Sequence, residues 1–285
     1  MAAASESTLR ADIVEVGRRL YARGYCAAND GNISVRLDGA RLLTTPKGVS
    51  KGFMTPDMMV VTDMAGKKLA GDREPSSELL MHLAVYRNRP DVHAVVHAHP
   101  PLATGFAVAG IPLDRAVLAE VVTTLGSVPI AEYGTPSTPE LAQAVEAYIK
   151  AHDGLLLANH GALTVGQELY ATYYKMETIE HFAKISLVAR LLGRERLLSR
   201  EEVDRLQQLR GRYGIAAPAP ICAPGPAGAG VMGEAADACQ VIQAPEVPPG
   251  GPRLVPDTAL GADQEIRLTY GELAALIEDA LRSLK

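Results

Sequence analysis

The stretch that decides the fold reads Val92-His-Ala-Val-Val-His-Ala-His99. Its β-branched and small apolar residues at 92–96 predict a buried strand, because such side chains pack well in a sheet covered on both faces. Side chains two residues apart lie on the same side of a strand, so the imidazoles of His97 and His99 can reach one ion at its end. This His-Ala-His motif is the sharpest functional signal in the chain.

A third histidine, His160, follows a second apolar run at 154–158. Three neutral imidazoles with an open coordination position are the ligand set of a catalytic zinc-type site, in which the ion polarises a carbonyl. The alternative is that these histidines are satisfied interior residues. A His-x-His motif at one strand end and a histidine after another strand favour a divalent metal. The histidines predicted to be structural or exposed are His82, His93, His152 and His181.

Outward from this stretch, helix-like and strand-like patterns alternate along the chain. Apolar spacing predicts helices over residues 7–21, 76–87, 138–150, 168–192 and 201–210. Alternating or apolar runs predict strands at 33–37, 41–44 and 58–62, besides the two runs above. Because the elements do not keep a strict βαβ rhythm, we expect an α/β fold with a mixed, largely antiparallel central sheet covered by helices.

A second constellation, Pro75-Ser76-Ser77-Glu78, stands where a helix is predicted to begin. Serine hydroxyls and free backbone amides at a helix start bind anions, helped by the helix dipole. Two glycine-containing loops, 29–32 and 45–48, can add amides to the same site. The alternative is ordinary capping and turn chemistry. Together with the histidines, these loops predict a phosphate site beside a metal, with Glu78 as a ligand or a general base.

Composition excludes several classes of protein. The 285 residues carry 28 basic and 33 acidic side chains, a net charge of −5, so no broad basic face for nucleic acid is expected. No apolar run is long enough to cross a membrane, and none resembles a signal sequence. The three cysteines, Cys26, Cys222 and Cys239, are odd in number and widely spaced, which favours a reducing, cytoplasmic setting.

Five separated motifs in this chain resemble those of the class II sugar-phosphate aldolase and adducin-head family. The motifs are Gly31-Asn-Ile-Ser-Val-Arg, Thr45-Pro-Lys-Gly, Pro75-Ser-Ser-Glu, Val95-Val-His-Ala-His-Pro and Asn159-His-Gly. The resemblance covers residues 9–214. It implies a three-layer α/β/α sandwich, a homotetramer with sites between subunits, and a divalent metal, commonly zinc. By the same resemblance the metal ligands are His97, His99, His160 and Glu78. The implied phosphate-binding residues are Gly31, Asn32, Lys47, Gly48, Ser76 and Ser77.

The resemblance also implies the reaction. Glu78 doubles as acid/base, and Tyr213 matches the family's tail tyrosine. Epimerases of the family show aspartate where this chain has Glu78, and no acid lies between Glu120 and Pro129, so the resemblance favours the aldolase branch. We therefore expect retro-aldol cleavage of L-fuculose 1-phosphate or a similar deoxy sugar phosphate to dihydroxyacetone phosphate and lactaldehyde.

Alternatives to this reaction stay open. In the aldolase branch a neighbouring subunit presents a tyrosine to the active site, and this chain has a replacement for it near Leu118. The residue that donates a proton on the aldehyde side is therefore open, and a rhamnulose or 5-deoxy-pentulose phosphate is an alternative substrate. Epimerase, dehydratase and decarboxylase activities are the other chemistries of the family. A non-catalytic, adducin-like assembly module is the remaining alternative, but adducin heads have generally lost the histidines that this chain retains.

The C-terminal part has a different texture, with nine of the 19 prolines between Pro218 and Pro256. We expect a class II aldolase domain at 1–215, a Pro/Ala/Gly-rich linker at 216–262 and an amphipathic helix at 263–285. A linker followed by a short apolar-striped helix resembles the encapsulation peptides that recruit enzymes to the shell proteins of bacterial microcompartments. The alternative is that the helix packs on its own domain or on a sister subunit.

Overall fold

The computed structural model describes residues 5–213 together with Ile215 and Ile221. In this part of the chain one mixed sheet has the strand order β4-β3-β2-β1-β5-β8-β7-β6, and every neighbouring pair is antiparallel except β6 and β7. The strands are β1 (Asn32–Arg36), β2 (Arg41–Thr44), β3 (Val60–Asp63), β4 (Lys68–Ala70), β5 (Ala94–Ala98), β6 (Ile130–Ala131), β7 (Gly154–Leu157) and β8 (Gly161–Gly166).

Helices cover both faces of the sheet, so the predicted three-layer α/β/α sandwich is confirmed. The helices are α1 (Glu6–Ala22), α2 (Leu79–Asn88), α3 (Pro101–Val108), α4 (Ala119–Thr124), α5 (Pro139–Ile149), α6 (Leu169–Leu191) and α7 (Arg200–Arg212). Apolar residues of α1, α3 and α6 form one core, and those of α2 and α5 form the other. Successive side chains of β5 point to opposite faces of the sheet, so Val96 packs in the first core, with α1, α3 and α6, and Val95 packs in the second core, with α2 and α5.

The pairing register brings the functional motifs to one edge of the sheet. Asn32 at the start of β1 pairs with His97 near the end of β5, and Ala98 pairs with Ala162 at the start of β8. The turn that joins β7 to β8 therefore lies beside the end of β5. Because both turn and strand end are fixed by backbone ladders, the side chains at this edge are held on rigid elements.

Several predicted boundaries are wrong by a few residues, and one has a functional consequence. Helix α2 begins at Leu79 rather than at residue 76, with Glu78 as its N-cap at φ −99°. The two serines therefore lie in the turn before the helix, where the Oγ of Ser76 accepts from the backbone N–H of Glu78 at 3.3 Å. Strand β5 begins at Ala94 and extends through His97 to Ala98. Helices α3 and α4 and strands β4, β6 and β8 are elements that the sequence patterns did not predict.

The predicted linker at 216–262 and terminal helix at 263–285 lie outside the described residues, apart from Ile221. Ile221 is buried against Val122 of α4 and Val203 of α7. Among the helices that the structure describes, none combines the length and the apolar character needed to span a membrane.

Candidate active site

Three histidines converge at the edge of the sheet and form an imidazole cluster. His97 lies within β5 and is fully buried, His99 follows the strand directly, and His160 lies in the turn between β7 and β8. One donor nitrogen from each ring lies within 4.8 Å of the other two. The Nε2 atoms of His97 and His99 are 3.1 Å apart. The structure thus brings together the three histidines that the sequence selects.

Small residues allow the backbones to come this close. A Cβ on Gly161 would stand 2.6 Å from the carbonyl oxygen of Ala98 and 2.6 Å from Cδ2 of His99. Asn159, next to the third histidine, adopts φ +54°, a left-handed conformation that asparagine tolerates better than most residues. The sequence Asn159-His160-Gly161 therefore forms the tight turn that connects β7 to β8 and places the imidazole of His160 in the cluster.

The protonation of the cluster fits a divalent metal. Nδ1 of His97 lies 2.9 Å from the carbonyl oxygen of Ala162 and donates to it, which leaves the Nε2 lone pair for a ligand role. Burial lowers the pKa of His97 to about 3, and burial also lowers the pKa of His99, so both rings are neutral near pH 7. Asp30 contacts the nitrogen of His99 that faces away from His97, with its Oδ2 3.3 Å from Nδ1.

The carboxylate of Glu78 lies beside two of the three imidazoles. Its Oε2 lies 3.4 Å from Nε2 of His97, and its Oε1 lies 3.2 Å from Nε2 of His160. Burial raises the pKa of Glu78, but the nearby imidazoles of His97 and His160 and the hydrogen bond donated by Asn32 outweigh burial, so the pKa ends below its usual range. Two buried atoms, Oε1 of Glu78 and Nδ1 of His160, have no hydrogen-bond partner. A buried carboxylate oxygen left without a partner beside three imidazoles fits a metal centre, where a cation would compensate it.

A cavity of about 300 Å³ opens above the cluster and contains all six residues predicted to bind phosphate. Gly31 adopts φ +75° there, and a Cβ on it would stand 2.8 Å from the carbonyl oxygen of His97. Asn32 donates from Nδ2 to Oε2 of Glu78 at 2.7 Å, which leaves the second hydrogen of that amide for a ligand. The lining residues are Asn29, Asp30, Gly31, Asn32, Pro46, Lys47, Gly48, Lys51, Ser76, Ser77, Glu78, His99, Pro136, Ser137 and His160.

Lys51 is a lining residue that the sequence patterns did not single out. It is almost fully buried, and its Nζ donates to the carbonyl oxygens of Asn29 at 3.0 Å and Val49 at 2.7 Å. It therefore ties the 29–32 loop to the segment that directly follows the 45–48 loop. Burial lowers the pKa of this lysine. Its only sequence signal is its place shortly after Thr45-Pro-Lys-Gly.

Two residues raised by the sequence lie away from the described cavity lining. Tyr213 follows α7 and is 67% exposed. Leu118 is the N-cap of α4 and packs against the apolar core. The four histidines predicted to be structural or exposed stay outside the imidazole cluster. His93 and His181 are exposed, and His82 and His152 are buried.

The family description Class II Aldolase and Adducin N-terminal domain matches residues 11–187 of this chain. A 3-oxo-tetronate 4-phosphate decarboxylase from Haemophilus influenzae is 34% identical over 205 residues, covering 70% of this chain and 96% of the relative. A 5-deoxy-D-ribulose 1-phosphate aldolase from Bacillus thuringiensis serovar kurstaki is 32% identical over 206 residues, covering 72% and 96%. The solved structure of an L-fuculose 1-phosphate aldolase matches with a TM-score of 0.67 at 31% identity, covering 73% and 97%.

The chain belongs to the class II aldolase and adducin family, and its aldolase-named relatives support an enzyme of the lyase class. The expected family and enzyme class are therefore confirmed. The relatives carry names of more than one chemistry, so the family leaves the substrate open.

Proposed function

We propose that the chain catalyses retro-aldol cleavage of a ketose 1-phosphate, L-fuculose 1-phosphate or a similar deoxy sugar phosphate, to dihydroxyacetone phosphate and lactaldehyde. The observation that carries the proposal is the position of Glu78. Its carboxylate lies between two imidazoles of the cluster, at the floor of a cavity that also contains the candidate phosphate residues. One substrate can therefore place its phosphate in the loops and its carbonyl at the cluster.

The proposed metal ligands are His97, His99, His160 and Glu78, and we propose zinc as the ion because neutral imidazoles suit it. When bound, the cation supplies the positive charge that stabilises the enediolate left by carbon–carbon cleavage.

The chain's own groups divide the remaining work. We propose that six residues bind the phosphate: the backbone amides of Gly31 and Gly48, the side-chain amide of Asn32, the ammonium of Lys47 and the hydroxyls of Ser76 and Ser77. Glu78 then delivers a proton to the enediolate carbon, which yields dihydroxyacetone phosphate. Its low pKa keeps it ionised before the reaction, so Glu78 must first take up a proton, from the substrate hydroxyl that becomes the aldehyde oxygen or from solvent, before it can deliver one to the enediolate carbon.

Decarboxylation is the second candidate, since one relative bears that name. Loss of CO₂ from a 3-oxo-tetronate 4-phosphate would leave the same enediolate, and the two reactions differ only in the group that departs. The charged side chains lining the cavity are Asp30, Lys47, Lys51 and Glu78. Two carboxylates offset the two lysines, and Lys51 already binds backbone carbonyls, so within this lining Lys47 is the lysine that remains for the phosphate, and a second anionic group would have to pair with the metal.

The test is an assay of the zinc-loaded protein with L-fuculose, L-rhamnulose and 5-deoxy-ribulose 1-phosphates and with 3-oxo-tetronate 4-phosphate. We expect equal amounts of dihydroxyacetone phosphate and an aldehyde from at least one ketose 1-phosphate. Release of CO₂ from the oxo acid, without aldehyde release from any ketose, would replace the aldolase by the decarboxylase.

Tyr213 is proposed as a catalytic residue on the aldehyde side. Because its side chain is 67% exposed and lies outside the described cavity lining of its own chain, this role requires a neighbouring subunit. We therefore propose a homotetramer. Light scattering gives the mass, and Tyr213→Phe should lower kcat while leaving that mass unchanged.

We also propose that residues 263–285 direct the enzyme to microcompartment shell proteins in the cytoplasm. The support is in the sequence alone. Leu273, Leu276, Ile277, Leu281 and Leu284 recur at helical spacing after a Pro-rich segment, and the aldehyde product is one that a shell would retain. A fluorescent protein fused to residues 257–285 should form foci in cells that make the shell. Diffuse fluorescence equal to that of the same fusion with Leu276→Glu and Leu281→Glu would contradict this.

A further inference from the structure

A chain of buried hydrogen bonds leads from the second core to Glu78. The imidazole of His82, on α2, has Nδ1 2.7 Å from Oγ of Ser34, and its Nε2 contacts Oδ1 of Asn32. Oγ of Ser34 also lies 2.9 Å from the hydroxyl of Tyr86. The amide of Asn32 continues the chain to Oε2 of Glu78. These groups are buried, with His82 only 1% exposed.

The chemistry of the groups fixes the direction of every bond. A carboxylate only accepts, so Asn32 must turn its NH₂ toward Glu78 and its oxygen toward His82. That oxygen needs a donor, so His82 carries its proton on Nε2. The bare Nδ1 of the neutral ring then accepts from Ser34, whose oxygen accepts in turn from Tyr86. Burial lowers the pKa of His82 to about 4, which agrees with a neutral ring.

We propose that His82 is a positioning residue of the active site, which acts through Asn32 to hold the Glu78 carboxylate in one orientation. The inference rests on the proposed function of Glu78. With Oε2 engaged by Asn32, the unpartnered Oε1 stays directed at His160 and the open centre of the cluster. Without the donor on Nε2, the amide of Asn32 can rotate and its grip on the carboxylate is lost.

The distinguishing experiment is a double-mutant cycle on the full chain. His82→Asn keeps a polar group near Ser34 but removes the donor to Asn32, and we expect kcat to fall about 10- to 100-fold with zinc content retained. In an Asn32→Ala background the same substitution should change kcat no further, because the intermediary is gone. His82→Gln, which can return an N–H near the position of Nε2, should restore most of the loss.

His152 provides the matched control. It is also a fully buried histidine, with Nδ1 3.2 Å from the carbonyl oxygen of Ser127, and it lies outside the cavity lining. His152→Asn should lower stability without lowering kcat. Additive effects of His82→Asn and Asn32→Ala would reduce His82 to a structural residue and overturn the proposal.

A second readout does not depend on turnover. The visible absorption of Co²⁺ bound to the cluster reports the number and arrangement of its ligands. We expect His82→Asn and Asn32→Ala to change this spectrum alike, the double variant to match either one, and His152→Asn to keep the wild-type spectrum. If the protein cleaves none of the sugar phosphates, the proposed function fails, yet a wild-type spectrum for His82→Asn still overturns the positioning role.

A further variant keeps the proposal testable if His82→Asn does not fold. Ser34→Ala leaves the imidazole in place and removes the hydroxyl that fixes its proton on Nε2. We expect a smaller change of the same kind in kcat and in the Co²⁺ spectrum, absent in the Asn32→Ala background. An unchanged spectrum for Ser34→Ala would overturn the proposal.

Discussion

Two buried polar clusters in this molecule differ in how completely their atoms are paired. In the buried ion cluster of Arg89, Asp153 and Lys175, the two carboxylate oxygens accept from Arg89 at 2.9 Å and from Lys175 at 2.6 Å. The cations also donate to backbone carbonyls, that of Ile149 at 3.1 Å and that of Val165 at 2.9 Å. In the imidazole cluster, by contrast, Glu78 keeps a buried oxygen without a hydrogen bond.

This difference in hydrogen bonding distinguishes a cluster that stabilises the fold from a cluster that belongs to a functional site. Both clusters contain ionisable side chains removed from water, a condition that costs free energy unless partners compensate it. The ion cluster is compensated within the chain, so its role is to hold α2, β7 and α6 together. The imidazole cluster leaves donor atoms free at the floor of a cavity, which indicates that its remaining partners are a metal and a substrate.

The sharpest way to break this comparison is Glu78→Gln. The amide keeps the shape of the side chain but cannot take or deliver the proton, so we expect kcat to fall about 1,000-fold or more. Zinc content should stay near the wild-type value because the three imidazoles remain as ligands, and the free energy of unfolding should change little because a buried charge has been removed rather than left unpaired. Product release assays and metal analysis check both; full activity would remove Glu78 from the mechanism.

The opposite result is expected for Asp153→Asn in the buried ion cluster. Removing the shared carboxylate leaves the guanidinium of Arg89 and the ammonium of Lys175 partly unpaired, and we expect unfolding to become easier by about 3 kcal/mol. The kcat of the folded fraction should not change. Denaturant unfolding and steady-state kinetics measure the two effects. A variant with unchanged stability and a lower kcat would contradict the structural role assigned to the buried ion cluster.

Gly161→Ala probes how tightly the imidazole cluster is packed. The new Cβ would meet the carbonyl oxygen of Ala98 and the ring of His99, so the turn must shift and move His160. We expect zinc affinity or kcat to fall about 10- to 100-fold. Gly105→Ala is the control, since a Cβ there meets no atom within 4 Å. Equal behaviour of the two variants would show that the turn geometry is not limiting.

The pH dependence of stability gives a smaller effect. The folded-state pKa of His82, about 4, lies below its ordinary value of 6.5, so between these values the unfolded chain binds a proton that the folded chain does not. Its contribution is fully present above pH 6.5 and is lost as the pH falls toward 4. In chelator-treated protein, wild type should lose about 2 kcal/mol more than His82→Gln between pH 7 and pH 5. Parallel curves would contradict a neutral buried ring.

Much of the site could be predicted from sequence because its signals are local. The spacing of His97 and His99 follows from strand periodicity, and the glycine and serine loops follow from turn and anion chemistry. The prediction that α2 begins at residue 76 failed because serine is a good N-cap, whereas here the chain continues through a turn and Glu78 takes that position. Strand β8 was missed because Gly161–Gly166 has glycine at both ends and no alternation, being buried throughout.

The parts that sequence could not supply are long-range. Lys51 becomes a site residue only when the 29–32 loop folds against the segment that carries Lys51, which brings both into one cavity lining. His82, on α2, reaches Glu78 only through Asn32, which lies 50 positions away in sequence at the start of β1. No periodicity reports such contacts, since they depend on the pairing register of β1 with β5 and on the packing of α2 against the sheet.

The central claim is tested most directly by incubating the zinc-loaded full-length protein with L-fuculose 1-phosphate, and by repeating the assay after chelation. The account predicts about one zinc per chain, dihydroxyacetone phosphate and lactaldehyde in equal amounts, and loss of both products when the metal is removed. A protein that binds no metal, or that binds it and releases dihydroxyacetone phosphate from none of the ketose 1-phosphates, would contradict the account.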